Sequence, residues 1–201
     1  NYFVLPFVIR LLLNHFRDLA IARDKHYGDA YVLAGDIEAF KDNGGAASGW
    51  YEQATYFDPK NPNGYRRYAY VNSKVSPSSS VAKLEELRKH RPDYPVDIIS
   101  AEIYDKAGNI SKALEYYNKV DRNQMEDYQL VSFALNYFLK GEFDKSLEVA
   151  QFGITKFPAN AALNRICFYN LTNQKKYEEA LKYADALFNK SEKTKITESD
   201  Y

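Results

Sequence analysis

The chain has 201 residues, 27 of them basic and 27 acidic, so its formal net charge is zero. This balance excludes the strong positive field expected of a protein that binds nucleic acid or anionic lipid. The single cysteine, Cys167, excludes an internal disulfide and a cysteine-rich metal site, and the 45% of hydrophobic residues suffice for a continuous core.

The first 27 residues begin with an apolar stretch that is too short to cross a membrane. Tyr2–Leu13 contains Pro6 and Arg10 and is about half as long as the roughly 20 apolar residues that a span requires. An apolar stripe at helical spacing follows, through Val8, Leu11, Leu12, Phe16, Leu19 and Ala20. We therefore predict a buried first helix in residues 1–27, as an N-terminal capping helix or a divergent repeat. A leftover signal-peptide segment is the alternative.

A period of 33–34 residues governs the rest of the chain. Small residues recur with gaps of 33, 33, 33 and 34 residues, at Ala47, Ser80, Ala113, Ser146 and Ala180. Twelve residues after the first four of these positions come Pro59, Pro92, Met125 and Pro158. Self-similarity at such a period indicates an array of stacked repeats.

Each period contains two apolar segments at helical spacing with a short break between them. Gly108 and Gly141 lie at this break in two of the periods, and glycine readily adopts the left-handed conformation that ends a helix. Lys175-Lys176 occupies the break in the last period. The prolines between periods end the second helix, because proline cannot continue it. The small residues Ala113 and Ala134 are predicted to lie where two helices cross closely.

The first two periods have different breaks. In the first, we expect the glycine-rich residues 44–49 to form the turn between the helices. In the second, residues 76–80 read Ser-Pro-Ser-Ser-Ser. This stretch predicts a longer turn with the N-cap of the next helix near Ser79 or Ser80, since serine oxygens accept hydrogen bonds from free helix N–H groups.

These features together resemble the tetratricopeptide repeat (TPR) family. Four stretches match its pattern of a small residue, a turn, and then alanine and aromatic residues: IEAFKDNGGAASGWYEQATYFDP (37–59), YDKAGNISKALEYYNKV (104–120), YFLKGEFDKSLEVAQFGI (137–154) and NLTNQKKYEEALKYADAL (170–187). The resemblance implies an all-α fold, a right-handed α-α superhelix (a TPR solenoid) of about five helix-turn-helix units. The units are expected at 28–61, 62–94, 95–126, 127–160 and 161–190, with 191–201 as the start of a further helix or a C-terminal cap.

The character of the sequence is similar to that of exported bacterial TPR proteins. This favours the bacterial periplasm or envelope over the cytoplasm as its location. Both ends of the chain, together with Asn1 as its first residue, suggest that the chain continues beyond them.

No catalytic or metal-binding set of residues stands out. The three histidines, His15, His26 and His90, are far apart in the sequence and have no partners at ligand spacing. Cys167 lies between apolar residues, which favours a packed thiol over a nucleophile. Residues 44–49 have the glycine spacing of a phosphate-binding loop but lack the lysine that must follow it. We therefore expect no enzyme activity and no cofactor.

The TPR resemblance implies a concave groove lined by the first helix of each unit. Carrying the register from unit to unit predicts that a partner contacts Arg66, Arg67, Tyr70, Lys74, Glu102, Lys106, Tyr128, Val131, Leu135, Phe138, Arg165, Tyr169 and Asn173. The basic patch around Tyr70 suits an acidic peptide or a C-terminal carboxylate. The apolar patch around Val131 suits an inserted helix or an extended segment.

Each patch also has a purely structural interpretation. In this interpretation, Arg66 and Arg67 form ion pairs with Asp29 and Asp36 and contact no partner. Phe138 and Leu139 are then covered by the next helix. The leading hypothesis is a non-catalytic scaffold that binds a partner protein or peptide, with no nucleic acid and no membrane span. The alternatives are a carbohydrate-binding or scaffold component of a bacterial envelope complex, and the non-catalytic part of a larger enzyme.

Overall fold

A computed structural model describes residues 4–190, and the side chains of residues 11–189. The described part of the chain is all-helical and contains no strand, as predicted. Its helices are α1 (Val4–Arg23), α2 (Gly28–Phe40), α3 (Gly44–Phe57), α4 (Pro62–Asn72), α5 (Pro77–His90), α6 (Val96–Lys106), α7 (Ile110–Tyr117), α8 (Asp127–Leu139), α9 (Phe143–Lys156), α10 (Ala161–Asn173) and α11 (Tyr177–Lys190), with a short 3-10 helix at Arg122–Gln124. The expectation of a further helix or cap at 191–201 lies outside the described residues.

The helices after α1 follow one another as five helix-turn-helix pairs, and they group into two compact units. The division lies between Ala107 and Gly108, so that the first unit ends with α6 and the second begins before α7. Within each unit, consecutive helices pack side by side, as the repeat pattern requires.

An aromatic cluster forms the core of the first unit. The rings of Tyr31 and Phe57 stack with centroids 4.9 Å apart, and Trp50 lies against Tyr31. Tyr51 packs flat on α2 because Gly35 has no side chain there. A Cβ atom added to Gly35 would lie 2.3 Å from Cε1 of Tyr51. This glycine therefore sets how closely α2 and α3 approach.

The second unit is built around stacked rings and small residues. The ring of Phe133 lies 5.1 Å from that of Tyr117 and 5.2 Å from that of Tyr137. Ala134 is fully buried, and its carbonyl oxygen accepts a 2.7 Å hydrogen bond from Ser146 Oγ. Ala113 is fully buried as well. The predicted close crossing at Ala134 agrees with this hydrogen bond between α8 and α9, whereas the crossing at Ala113 stays a prediction.

Asparagine side chains join one helix pair to the next in both units. Asn72 donates from Nδ2 to Ser48 Oγ at 2.9 Å, and Asn170 donates to Ser146 Oγ at 2.8 Å. Each asparagine lies 24 residues after its serine. The two units therefore share the same polar link, which orients a first helix on the second helix before it.

A second recurring link joins the start of one first helix to the start of the next. Asn61 donates to Asp29 Oδ1 at 2.9 Å in the first unit, and Asn160 donates to Asp127 Oδ2 at 3.1 Å in the second. Both asparagines also cap their own helix, since their Oδ1 atoms accept backbone N–H groups.

Four turns place a residue in the left-handed backbone region. These residues are Asp42 (φ 58°), Gly108 (φ 71°), Gly141 (φ 81°) and Lys175 (φ 61°). The turns predicted at Gly108, Gly141 and Lys175-Lys176 are thus confirmed. The turn predicted at residues 44–49 is wrong, because α3 already begins at Gly44. The side chain of Asn43 starts this helix by accepting the N–H of Ala46.

The predicted N-cap in the second period is also wrong. Helix α5 begins at Pro77, with Ser76 as the N-cap residue, and Ser80 is buried inside the helix. A proline suits the first helical position, because its missing N–H would have no partner there.

Helix α1 is longer than a typical repeat helix and packs by a different face from the predicted one. Arg17 lies 5.6 Å over the ring of Trp50, and Ile21 packs against the core of the first unit. The stripe that we expected to be buried is exposed, with Leu12 at 50%, Phe16 at 60% and Leu19 at 53% exposure. None of the described helices is both long enough and apolar enough to cross a membrane.

Candidate partner-binding surfaces

The first unit contains an open groove of about 910 Å³ on the side of its first helices, here called the first groove. It is lined by Asp36, Ala39, Phe40, Tyr51, Arg67, Tyr70, Val71, Ser73, Lys74 and Lys106. Four residues predicted from the register lie together in it, namely Arg67, Tyr70, Lys74 and Lys106. Arg67 and Tyr70 belong to α4, Lys106 ends α6, and Lys74 lies two residues after the end of α4.

The one carboxylate of the first groove is already bonded. Asp36 Oδ1 accepts a 2.8 Å hydrogen bond from the Tyr51 hydroxyl and lies 3.2 Å from Arg67 Nε. Burial, and then the hydrogen bond to this carboxylate, raise the pKa of Tyr51, so its hydroxyl stays a donor at neutral pH. Part of the structural interpretation therefore holds, because Arg67 does pair with Asp36.

The two lysines of the first groove have no such partners. Among the described residues, neither the side chain of Lys74 nor that of Lys106 makes a hydrogen bond or an ion pair. Lys106 is the last residue of α6, and Lys74 lies two residues after the end of α4. The negative end of the helix dipole favours cations at such positions. Both ammonium groups nevertheless keep their hydrogen-bond donors available.

Two aromatic side chains stand exposed in the same groove. Tyr70 is 74% exposed and Phe40 is 85% exposed. Phe40 was missed by the sequence reasoning, although a signal for it exists. Asp36 and Phe40 lie four residues apart on α2, and residues one helical turn apart share a face of the helix.

The other two predicted residues of the first unit lie outside the lining of the first groove. Arg66 is exposed and lies near Tyr94, where its charge partly opposes the rise in the pKa of Tyr94 that burial causes. Glu102 is half-buried on α6. Asp29, considered as a partner for Arg66, is bonded by Asn61 and Asn63 instead.

The second unit contains a groove of similar size, about 900 Å³, here called the second groove. It is lined by Asp127, Tyr128, Val131, Ser132, Lys156, Phe157, Pro158, Ala159, Asn160, Ala161, Ala162 and Arg165. The predicted residues Tyr128, Val131 and Arg165 lie together in it. The loop between α9 and α10 forms one side, which the register had not included.

Two polar side chains of the second groove, Lys156 and Asn160, are bonded within the fold. Lys156 Nζ donates to the carbonyl oxygens of Asn123 and Met125, at 2.9 Å each. Asn160 donates to Asp127. These bonds tie the side chains of Lys156 and Asn160 into the fold.

Four further predicted residues do not line the second groove. The ring of Phe138 packs edge-on against Phe143 of the next helix, with centroids 5.4 Å apart. Leu135 is partly exposed on α8. Tyr169 is half-buried beside Phe168, and Asn173 donates to the carbonyl oxygen of Tyr169 in its own helix. The structural interpretation thus holds for Phe138, whereas Leu139 stays exposed.

The described residues contain no cluster of three or more histidine, cysteine or carboxylate side chains that could hold a metal ion. Cys167 is fully buried, and burial raises the pKa of its thiol to about 12. A thiol with such a pKa stays protonated at neutral pH and is a poor nucleophile. Its predicted place in the core is confirmed.

No protein-family model matches the sequence, and no curated protein matches it by sequence. Solved structures do match its fold. A crystal structure of YrrB, described as a TPR protein with an unusual peptide-binding site, superposes with a TM-score of 0.64 at 15% identity, over 86% of this chain and 91% of that one. A structure of MamA superposes with a TM-score of 0.67 at 17% identity, over 81% of this chain and 91% of that one.

A third match comes from Parabacteroides merdae. This tetratricopeptide repeat protein superposes with a TM-score of 0.61 at 15% identity, over 95% of this chain and 77% of that one. At such identities the similarity concerns the fold alone. Together with the 33–34-residue period and the all-helical pairs, it shows that this chain has the tetratricopeptide-repeat fold.

Proposed function

We propose that this protein is a non-catalytic scaffold that binds a partner protein or peptide on the surfaces of its first helices. The observation that carries the proposal is the first groove, where Phe40 and Tyr70 are exposed beside Lys74 and Lys106, whose side chains have no partner among the described residues. Large exposed aromatic side chains cost free energy in water, and tyrosine is enriched among the residues that dominate protein interfaces. The peptide-binding site named for YrrB supports the same kind of role.

The second groove is proposed as a further contact surface, through Tyr128, Val131 and Arg165. Its cation Lys156 is already bonded to backbone carbonyls. A partner there would gain its free energy mainly from apolar contact with Val131 and Phe157. The predicted contacts at Arg66, Glu102, Leu135, Phe138, Tyr169 and Asn173 lie outside both groove linings and carry less of the proposal.

The proposal can be tested by selecting peptides from a random display library on the intact chain. The selected peptides are then measured against Tyr70→Ala and against Tyr56→Ala. Tyr56 is a matched control, since it is also a highly exposed tyrosine but does not line either groove. For peptides that bind the first groove, we expect Tyr70→Ala to weaken binding about tenfold or more, and Tyr56→Ala to leave it unchanged.

The second groove is tested in the same way with Val131→Asp. A matched control is Val75→Asp, which changes an exposed valine outside both grooves. Selected peptides that bind all four variants as tightly as the natural chain would show that neither groove is the binding site. A selection that yields no specific peptide would contradict the scaffold function itself.

A further inference from the structure

We infer that the first groove binds an extended segment that carries several carboxylates and one aromatic or large apolar side chain. This inference rests on the proposed function, because it names the chemistry of the partner for one of the two proposed surfaces. It follows from the charges of the groove, from its exposed rings and from the length of the row formed by Arg67, Tyr70 and Lys74.

The charges favour an anionic partner. Three cations line the first groove, Arg67, Lys74 and Lys106, against the single carboxylate of Asp36. Asp36 already accepts a hydrogen bond from the Tyr51 hydroxyl and forms an ion pair with Arg67. Arg67 is more than half exposed on its side chain, and the described residues offer no hydrogen-bond partner to its two Nη atoms. The groove therefore presents an excess of positive charge and unused N–H donors, in a chain whose net charge is zero.

The helix dipoles explain why lysine occurs at these positions, but they do not use up its donors. A cation at a helix end can bond the last carbonyl oxygens. Lys156, at the end of α9, bonds two carbonyls outside its own helix, those of Asn123 and Met125. Lys74 and Lys106 bond none among the described residues. Their ammonium groups are thus free for carboxylates, with which charge-assisted hydrogen bonds are strong.

The exposed rings require more than charge from the partner. Phe40 and Tyr70 present apolar surface next to the cations. A purely acidic segment would leave the apolar surface of these rings in contact with water. If its carboxylates packed against the rings instead, they would lose their hydration, which costs free energy. A segment with one aromatic or large apolar residue among its acidic residues satisfies both parts of the groove.

The length of the cationic stripe limits the core of the segment. Arg67 and Tyr70 lie three residues apart on one side of α4, and Lys74 lies in the turn two residues after the helix ends. A helix rises about 1.5 Å per residue, so the helical part of this stripe, from Arg67 to the end of α4, is about 8 Å long, and Lys74 extends it. An extended peptide advances about 3.3 Å per residue, so about three or four residues cover the stripe.

The inference is tested with three fluorescently labelled five-residue peptides and the intact chain. The first is Glu-Asp-Phe-Asp-Glu, the second is its neutral amide analogue Gln-Asn-Phe-Asn-Gln, and the third is Glu-Asp-Ala-Asp-Glu. We expect the first to bind most tightly by fluorescence anisotropy and to lose affinity as salt rises, because exposed charge pairs are screened.

Variants then locate the binding site. Lys74→Gln and Lys106→Gln should each weaken the acidic aromatic peptide by about 1.5- to 5-fold, the range for exposed charge pairs. Tyr70→Ala should weaken it about tenfold or more. Lys89→Gln is the matched control, since Lys89 is an exposed lysine on α5 outside the groove, and it should have no effect. Circular dichroism melting of each variant checks that it folds.

The possible failures are distinguishable. If the neutral peptide binds as tightly as the acidic one, or if salt has no effect, the inference about acidic partners is wrong while the scaffold function stands. If the acidic peptide binds but none of the groove variants weakens it, the first groove is the wrong place. If none of the three peptides binds, while library peptides do bind through Tyr70, the inference fails and the proposed function remains.

Discussion

The two grooves are similar in volume but differ in how the fold uses their polar side chains. In the second groove, Lys156 bonds the carbonyl oxygens of Asn123 and Met125, and Asn160 bonds Asp127. In the first groove, Lys74 and Lys106 make no bond among the described residues, and two aromatic rings beside them are exposed. The difference teaches that a groove lined with charge is not by itself a binding site. The side chains that indicate a binding site are those that make no contact needed for the fold itself.

The scaffold beneath the two grooves is the same kind of structure. The same asparagine-to-serine link and the same asparagine-to-aspartate link occur in both units. The groove surfaces of the two units thus differ, while the packing of their helices is similar. This is expected of repeat proteins, in which each repeat packs against the next one. Three stability measurements test how far this equivalence of the two scaffolds extends.

The largest expected effect comes from Gly35→Ala in the first unit. The new Cβ would lie 2.3 Å from the ring of Tyr51, which is buried and held by its hydrogen bond to Asp36. We expect a loss of about 3 kcal/mol in the free energy of unfolding, at the upper end of the range for overpacking. The fluorescence of Trp50, the only tryptophan, follows unfolding of this region in urea.

Two glycine variants calibrate this result. In the second unit, Gly153→Ala places its Cβ 2.8 Å from Cδ1 of Leu163, the flexible end of a side chain, so a smaller loss of about 1 kcal/mol is expected. Gly49→Ala meets no atom within 4 Å and should be neutral or stabilising, since alanine favours a helix over glycine. A Gly35→Ala protein as stable as Gly49→Ala would show that α2 and α3 do not pack this closely.

A smaller effect is expected for the asparagine links. Asn170→Ala should destabilise the second unit by about 2 kcal/mol, because it removes a buried hydrogen bond and leaves a cavity. Asn72→Ala should cost about 1 kcal/mol, since Asn72 is only partly buried and water can replace its bond. Urea denaturation followed by circular dichroism measures both. Equal losses would show that burial does not distinguish the two links.

The smallest effect concerns the turns. Lys175 adopts a left-handed conformation that costs a residue with a Cβ atom about 1 kcal/mol. We expect Lys175→Gly to raise the free energy of unfolding by up to about that amount, while Gly141→Lys lowers it similarly. Asp42→Gly should gain less, because aspartate tolerates this region better than lysine. A loss of stability in Lys175→Gly would mean that the side chain contributes more than the backbone strain costs.

Much of the fold could be predicted from the sequence, because the repeat period indicates how many helices there are and how they follow one another in pairs. Gly108 and Gly141 marked two turns correctly. Asp42 was missed, since a glycine-rich stretch follows it directly and glycine is the stronger turn signal. The helix starts at Gly44 instead, because Asn43 supplies the cap.

The face of α1 could not be predicted from periodicity. An apolar stripe shows that a helix has a preferred face, but it cannot show whether that face meets the protein. In α1, the packed face is carried by Arg17 and Ile21. The long side chain of Arg17 reaches the ring of Trp50, and a hydropathy pattern does not register a cation over an aromatic ring.

The candidate site was predicted in part. The register brought Arg67, Tyr70, Lys74 and Lys106 into one groove, because positions one helical turn apart share a face. It could not show that Lys156 bonds the backbone of residues 31 and 33 positions earlier. Such a bond depends on the tertiary structure. Its acceptors are backbone carbonyl groups, which every residue has, so the identity of the residues does not reveal them.

The exposed leucines of α1 have a practical consequence for every experiment on the grooves. Contiguous apolar patches of this kind adsorb dyes, plastic and unrelated chains, whatever the rest of the protein recognises. Peptides captured on the natural chain would therefore include some that bind nonspecifically to α1 and some that bind specifically in the grooves. A chain with Leu12→Glu and Phe16→Glu, which changes only exposed positions of α1, offers a cleaner reference, and peptides that bind both chains equally owe their affinity to other surfaces.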